Sequence, residues 1–296
     1  LRIICIGDHI VMNLAENKDS MQLAPVIKWV GGKRQLLPRL MEYKPQNFKK
    51  YFEPFLGGGA MLFSLAPEKA IINDNNLELI NMYSVIKASP EKLVACLEEH
   101  QENNSKEYYL YIRGLDRDGT IKTMTDVQRA ARLIYMLKVD FNGLYRVNKK
   151  GQFNVPYGRY KNPKIADASR IYAMSSYFNN NDVLILGGDF ENAVKSATKG
   201  DLVYFDPPYI PLNNTSNFTS YTKEGFGLAE QKRLRDLFFS LSDKGVYVML
   251  SNSDTKLTRE LYTGAKIHSV SAKRAINSNA EKRGSVSEVI ITNYEA

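Results

Sequence analysis

Asp206-Pro207-Pro208-Tyr209 follows the apolar run Leu202-Val203-Tyr204-Phe205. A β-prone run that ends in a carboxylate and two prolines places those groups at the carboxyl end of a strand, where open α/β sheets bind ligands. Proline has no N–H and a fixed φ, so the carbonyls of such a turn are free to face a substrate. Asp206 and the Pro207 carbonyl offer two acceptors to a single amino group, and Tyr209 adds a flat ring able to cover a planar base. An acceptor pair beside a stacking face suits an exocyclic amine. The same four residues also fit a strand closed by a proline turn with no chemistry at all, so companions elsewhere in the chain decide between the two.

Two glycine stretches are candidate companions. Tyr51-Phe52-Glu53-Pro54-Phe55-Leu56-Gly57-Gly58-Gly59-Ala60 has the strand, glycine turn and helix layout of a βα nucleotide-binding loop, in which glycines bring backbone N–H groups close to a ligand. It departs from G-x-G-x-x-G, which argues against a dinucleotide pyrophosphate site. Ala70-Ile71-Ile72-Asn73-Asp74 then reads as a second strand ending in an acid, placed to accept both hydroxyls of a ribose. A glycine loop followed by that acid suggests an adenosine moiety, and a purely structural βαβ unit is the alternative. Upstream, Trp29 and Lys33 flank Gly31-Gly32, a loop able to hold an anionic group; it is not the G-x-x-x-x-G-K-[ST] of a nucleoside-triphosphate hydrolase. A core tryptophan and a solvated lysine are the plainer reading of that pair.

The elements that must position these groups alternate in type. Strand patterns at 202–205, 246–250, 266–270 and 286–292 join those at 51–53 and 70–74, and Val183-Leu184-Ile185-Leu186 before Asp189 restores the strand-then-acid pattern. Residues 36–41, 77–87, 228–241 and 255–262 have helical apolar spacing, with Gly245 suited to end the third of these. Between 89 and 170 the chain changes character. Charge-rich helical pieces at 91–101 and 106–116 precede Thr125-Asp126-Val127-Gln128, a capping box that opens a further helix whose charges, Arg129 and Arg132 among them, are expected on a solvated face. Leu144-Tyr145-Arg146-Val147 and Gln152-Phe153-Asn154-Val155 then flank Asn148-Lys149-Lys150-Gly151, a hairpin signal crowded with basic and aromatic residues. Such a ribbon suits a DNA groove, with arginine reading guanine and lysine touching phosphate; a plain surface hairpin has the same composition. Residues 213–220 read as a mobile loop beside the tetrapeptide, and Lys273, Arg274, Lys282 and Arg283 as phosphate contacts.

Composition narrows the partners. The chain has 296 residues, 44% of them hydrophobic, enough for a full core, and a formal charge of +8 that favours a polyanion. Cys5 and Cys96 are its only cysteines, which excludes a disulfide framework and a cysteine-rich zinc site and points to a reducing, cytoplasmic setting. No apolar run approaches the ~20 residues of a membrane span, and residues 1–22 read as a loosely held leader without chemistry.

Lys28-Trp29-Val30-Gly31-Gly32-Lys33, Phe52-Glu53-Pro54-Phe55-Leu56-Gly57-Gly58-Gly59 and Asp206-Pro207-Pro208-Tyr209 occur in that order, with an insert before the last. In this set the chain resembles the D-P-P-Y class of DNA adenine N6-methyltransferases, in the α arrangement where recognition precedes the catalytic tetrapeptide, over residues 25–294. Phe141-Asn142-Gly143-Leu144-Tyr145-Arg146, Phe153-Asn154-Val155-Pro156-Tyr157-Gly158-Arg159-Tyr160 and Leu250-Ser251-Asn252-Ser253-Asp254 are similar to the subgroup that modifies GATC, as found in restriction-modification systems. The resemblance implies a Rossmann-like α/β sheet of seven strands, the last antiparallel, divided into a leader (1–22), a first catalytic part that binds cofactor (23–88), an inserted helical recognition domain with its hairpin (89–170) and a second catalytic part (171–296).

It further implies S-adenosylmethionine as methyl donor, contacted by Trp29, Lys33, Asp74 and Asp206, with Phe55 and Gly57 to Gly59 lining the pocket and Asp189 and Phe190 on its adenine side. Asp206, Pro207, Pro208 and Tyr209 are then the catalytic set, with no metal. Arg146 reads guanine, assisted by Phe141, Asn142, Leu144, Pro156 and Arg159. The implied partner is double-stranded DNA, with a cognate restriction endonuclease in the same system but not in contact. Three alternatives stay in view. A cytosine-C5 enzyme needs a cysteine after proline, and neither Cys5 nor Cys96 has one. A protein glutamine N5-methyltransferase usually resembles Asn-Pro-Pro-Tyr and lacks this insert, and a catalytically silent DNA-binding relative leaves the cofactor loop unexplained.

Overall fold

The computed structural model describes residues 23–29, 31–33, 35–211, 226–273 and 285–295. The expected leader, the polar loop at 213–220, and Arg274, Lys282 and Arg283 lie outside the described residues. Seven strands form a single sheet: β1 (Tyr51–Glu53), β2 (Lys69–Asp74), β3 (Asp182–Gly187), β4 (Leu202–Phe205), β5 (Tyr247–Ser253), β6 (Lys266–Lys273) and β7 (Ser285–Thr292). Their spatial order is β3-β2-β1-β4-β5-β7-β6. β3, β2, β1, β4 and β5 pair in parallel, while β7 runs antiparallel to both β5 and β6. From β1 the chain builds outward to β2 and β3, then returns to the other side of β1 as β4. The carboxyl ends of β1 and β4 therefore flank the switch point at which α/β sheets open a crevice.

Alternation along each strand divides the core into two layers. Tyr51, Ala70, Ile72, Leu202, Tyr204, Met249 and Ile290 face one side, and Phe52, Ile71, Val203, Phe205, Val248, Leu250, Val289 and Ile291 face the other. Central parallel strands covered on both faces are buried along their length, and β1 and β4 are fully buried runs, apolar apart from Glu53 at the end of β1. On the first side lie α1 (Leu37–Tyr43), α2 (Ala60–Leu65), α3 (Leu77–Ala88) and a further group: α4 (Pro90–Glu102), α5 (Lys106–Gly114), α6 (Asp126–Val139) and α7 (Ala168–Asn180). The second side carries α8 (Phe190–Ala193), α9 (Leu228–Asp243) and α10 (Lys256–Leu261). Local chemistry sets the helix starts: Asn76 accepts from Glu78 N and Leu79 N, Thr125 and Gln128 complete the expected capping box, and Thr255 accepts from Thr258 N.

The helical insert is not a separate body. Leu93, Val94, Leu97, Tyr109, Ile112 and most of α6 join α2, α3, α7 and one sheet face in one continuous apolar core. This overturns the expectation of a solvated charged face on α6. Arg132 is 5% exposed; it donates to Ile112 O at 2.9 Å and pairs with Asp116 at 3.1 Å. Burial lowers its pKa below the usual guanidinium value, opposed by Asp116. Arg129 is half-buried and pairs with Glu78 of α3. Both arginines are structural ties across helices whose own apolar faces are already packed.

The hairpin is also slighter than its sequence suggests. Only the bridges Val147↔Phe153 and Asp140↔Tyr157 form, with Asn154 N donating to Arg146 O and Asn148 N to Gln152 O. Asn142 at φ 65° and Gly143 at φ 64° bend the incoming arm out of an extended path, and Pro156 has no N–H to continue a ladder.

Candidate active site

The carboxyl ends of β1, β2 and β3 are stitched together before any side chain is free for chemistry. Asn73 donates through one amide to Pro54 O at 3.0 Å and Gly188 O at 2.9 Å, joining the loops after β1 and β3. Asp74 Oδ2 accepts from Gly57 N at 2.9 Å and Oδ1 from Asn76 N at 2.9 Å, and Tyr83 donates its hydroxyl to Gly57 O. Burial raises the Asp74 pKa, opposed by these amides. The carboxylate expected to meet a ribose is thus already the anchor of the glycine turn. Gly57 and Gly59 sit at φ 51° and 71°, and a Cβ on Gly57 would lie 2.9 Å from Trp29 Cδ1. The turn needs glycine both for its backbone and for the indole laid across it.

Lys33 links the neighbouring Gly31-Gly32 loop, which carries Trp29, to the tetrapeptide. Its Nζ donates to Gly31 O at 2.8 Å, stands 2.9 Å from Asp206 Oδ1, and lies 4.2 Å from the Tyr209 ring centroid. The Lys33 approach is close enough for an ion pair, but its angle leaves the buried Asp206 Oδ1 without a directed hydrogen bond. Burial pushes the Asp206 pKa up to about 6; Lys33 opposes the rise and Glu288 adds to it. Next to it, Glu53 is buried at the end of β1, accepts from the Tyr51 hydroxyl at 2.8 Å, and is held well above the usual carboxylate range chiefly by burial.

Tyr209 is fixed at both ends of its side chain and its peptide. Its hydroxyl donates to Glu288 Oε2 at 3.0 Å. Gln231 Nε2 donates to Pro208 O at 2.9 Å, and Asn252 Oδ1 accepts from Ile210 N at 3.0 Å. Phe55 stacks on Phe190 at 5.2 Å and meets Phe205 edge-on, closing an apolar wall beside the glycine turn. Asp189 stands apart at the end of β3. It is exposed, caps α8 through Glu191 N, and pairs with Arg233 at 3.1 Å.

The expected readers of DNA lie on the two arms of the hairpin segment, at 141–146 and 156–159. Phe141, Asn142, Arg146, Pro156 and Arg159 are exposed and Leu144 is half-buried. Arg146 is not loose: its Nε and Nη2 donate to Asn154 Oδ1 at 2.8 Å and Asn154 O at 3.0 Å. Tyr145, on the opposite face of the same arm, stacks on Trp29 at 5.0 Å, so that arm and the glycine turn share one aromatic contact.

Residues 29–276 match the family described as D12 class N6 adenine-specific DNA methyltransferase. The chain belongs to that family. This methyltransferase is 58% identical to the type II methyltransferase M1.LlaDCHI of Lactococcus lactis subsp. cremoris, over 96% of the chain and 99% of the relative. Type II methyltransferase M.MjaIII of Methanocaldococcus jannaschii is 43% identical over 93% and 100%, and the DNA adenine methylase of Haemophilus influenzae is 34% identical over 92% and 94%. The seven-stranded sheet with its antiparallel β7 is the arrangement that the family resemblance implied. No helix among the described residues is long and apolar enough to cross a membrane.

The structure brings Trp29, Lys33, Gly57, Asp74, Asp206 and Tyr209 of this methyltransferase into one linked cluster. Sequence reasoning missed Gln231 and Glu288, whose roles depend on contacts 23 and 79 residues away. Asn252 and Asn154 stand within sequence motifs, but what they hold, Ile210 N and the Arg146 guanidinium, is visible only in the fold. A buried-strand polar residue such as Asn252, standing in Met249-Leu250-Ser251-Asn252-Ser253, was the available signal.

Proposed function

We propose that this adenine-specific DNA methyltransferase uses S-adenosylmethionine to methylate N6 of the adenine in duplex GATC, after turning that base out of the helix. The observation that carries the reading is the placement of Asp206, the Pro207 carbonyl and the Tyr209 ring on one loop that Lys33 ties to the Gly31-Gly32 loop, whose Trp29 lies against the glycine turn at Gly57. Two features support the fit of the donor. Gly57 has no side chain, so the Trp29 indole lies directly against the turn, and Asp206 Oδ1 is buried beside Lys33 with no hydrogen bond directed at it. When bound there, S-adenosylmethionine supplies an electrophilic methyl group; Trp29, Phe55, Gly57, Gly59, Phe190 and Asp74 would hold it, with Lys33 and Asp206 beside them and Asp189 at the outer rim.

The chain's own groups prepare the amine. Adenine N6 is a poor nucleophile because its lone pair is delocalised into the ring. Asp206 and the Pro207 carbonyl accept its two hydrogens and favour a more tetrahedral nitrogen. Among the described residues nothing donates to the Pro207 carbonyl, whereas that of Pro208 is taken by Gln231. Lys33 keeps Asp206 in its accepting, ionised form against the burial that opposes it. Tyr209 stacks on the everted base and offsets part of an unstacking cost of a few kcal/mol. Placement dominates the rate, since a near-attack arrangement is worth about 7 to 11 kcal/mol.

For recognition, residues 89–170 serve as the reading domain between catalytic parts 23–88 and 171–296. Arg146 takes guanine through the guanidinium edge that Asn154 leaves open, and Phe141, Asn142, Leu144, Pro156 and Arg159 assist. The type II names of two relatives support a place in a restriction-modification system beside a cognate endonuclease that makes no contact, in the cytoplasm. Labelled methyl transfer to duplexes with and without GATC, followed by nucleoside analysis, tests the whole reading. N6-methyladenine confined to GATC duplexes is the expected product; label on cytosine, on protein, or equally on all duplexes refutes it.

A further inference from the structure

Asp206-Pro207-Pro208-Tyr209 belongs to no helix or strand, so nothing in regular secondary structure fixes its peptide planes. The prolines restrict their own φ but leave ψ at Pro208 and both dihedrals at Tyr209 free. Those freedoms are removed by two side-chain amides from elements distant in sequence. Gln231, on the first turn of α9, donates from Nε2 to Pro208 O at 2.9 Å. Asn252, within β5, accepts at Oδ1 from Ile210 N at 3.0 Å and from Ser253 N at 2.8 Å. The amides also face each other, with Asn252 Nδ2 3.4 Å from Gln231 Oε1. Gln231 is 1% exposed and Asn252 0%. The peptide before Tyr209 is thus held by its carbonyl and the peptide after it by its N–H.

We infer that Gln231 and Asn252 are positioning residues for methyl transfer, clamping both peptide planes of Tyr209 and withdrawing the Pro208 carbonyl so that, of the two proline carbonyls, only that of Pro207 is left to join Asp206 in receiving the target amine. The inference rests on the active-site reading above. A glutamine is needed because one end must give a hydrogen to a carbonyl and take one from a neighbouring amide; methionine has no hydrogen to give and accepts only weakly, and glutamate can give only when protonated. Both residues act through the loop and touch no substrate.

The test compares wild type with Gln231→Met and Gln231→Glu in single-turnover methylation of a duplex carrying the wild-type enzyme's target adenine. Gln231→Met should slow the transfer step by about tenfold or more, because small misplacements at the reacting centre are expensive. Its affinities for cofactor and duplex should stay within about threefold of wild type, as expected for a loss realised in the transition state. In Gln231→Glu the rate relative to wild type should climb as pH falls from about 8 to about 6, since a buried carboxyl takes up its proton in this range and then donates to Pro208 O. The Met variant should show a flat ratio.

A merely structural role predicts parallel losses of cofactor affinity and thermal stability and no pH-dependent recovery. A Met variant at wild-type rate, or a Glu variant whose ratio stays flat with pH, overturns the clamp. Should Gln231→Met fail to fold, the pH series of Gln231→Glu decides alone. An inactive wild type would count against the active-site reading, whereas an active wild type with an indifferent Gln231→Met counts against the clamp only.

Discussion

Replacing Asp206 by asparagine should make this methyltransferase more stable while disabling it. Burial raises the Asp206 carboxyl from its ordinary 3.8 to about 6, with Lys33 already opposing the rise. That difference is about two powers of ten in proton affinity, and at about 1.4 kcal/mol for each it corresponds to about 3 kcal/mol. The sign follows from proton uptake. Between pH 4 and 6 the folded chain binds the proton more tightly than the unfolded chain, so stability from this group is complete below 4 and is lost as pH rises through 6. At pH 7.5 the native enzyme carries the full penalty, and neutral asparagine does not. Thermal melts should therefore show Asp206→Asn above wild type by about 5 to 10 °C at pH 7.5, with the gap closing towards pH 4.5. Methyl transfer should fall by at least about tenfold, as for loss of a buried electrostatic partner. The wild-type rate should itself fall on acidification with a midpoint near 6. A variant that melts at or below wild type at pH 7.5, or a gap that is the same at both pH values, refutes the reasoning.

Other substitutions probe the remaining parts. Tyr209→Phe keeps the ring and the Lys33 contact but loses the bond to Glu288, so it should outperform Tyr209→Ala, which forfeits about 1 to 3 kcal/mol of base stacking; fluorescence of a target-site 2-aminopurine separates them, and equal behaviour argues against stacking. Gly57→Ala forces a left-handed residue against Trp29, costing about 1 to 2 kcal/mol in the backbone alone. Because Trp29 is the sole tryptophan, its emission and the cofactor affinity should change together, and no change in either would contradict the packing. Arg146→Ala should lower discrimination against a single wrong base pair by about 1 to 3 kcal/mol, measured as relative kcat/KM on cognate and substituted duplexes; uniform loss on all sequences would reduce Arg146 to a phosphate contact.

Much of the catalytic edge was legible because its signals are local. A glycine triplet after a strand, an acid closing the next strand, and a carboxylate with two prolines after a third each declare a strand's end within ten residues, and the capping box at Thr125 declares a helix within four. What escaped depends on distance. Arg132 looks like a surface charge until α5 and Asp116 close over it. Nothing near Gln231 announces that its amide reaches the tetrapeptide, because only the packing of α9 against β5 brings them together. α7 carries Ile171, Met174 and Phe178 at helical spacing, but Asp167 makes no side-chain cap to announce its start. For the hairpin, composition identifies a reversal of the chain, but the number of ladder bonds depends on left-handed turns and proline placement.

The continuous core shared by α3, α6 and the sheet bears on attempts to give this enzyme a new target sequence. Grafting a foreign reader in place of residues 89–170 would strip the sheet side of Leu93, Leu97, Ile134 and Leu137, exposing the greasy flank of α3 and α7 to water. If residues 89–170 read the target as proposed, retargeting should instead be confined to the rim of the hairpin, at positions such as Arg146 and Arg159, which are exposed and can be exchanged without reopening the interior.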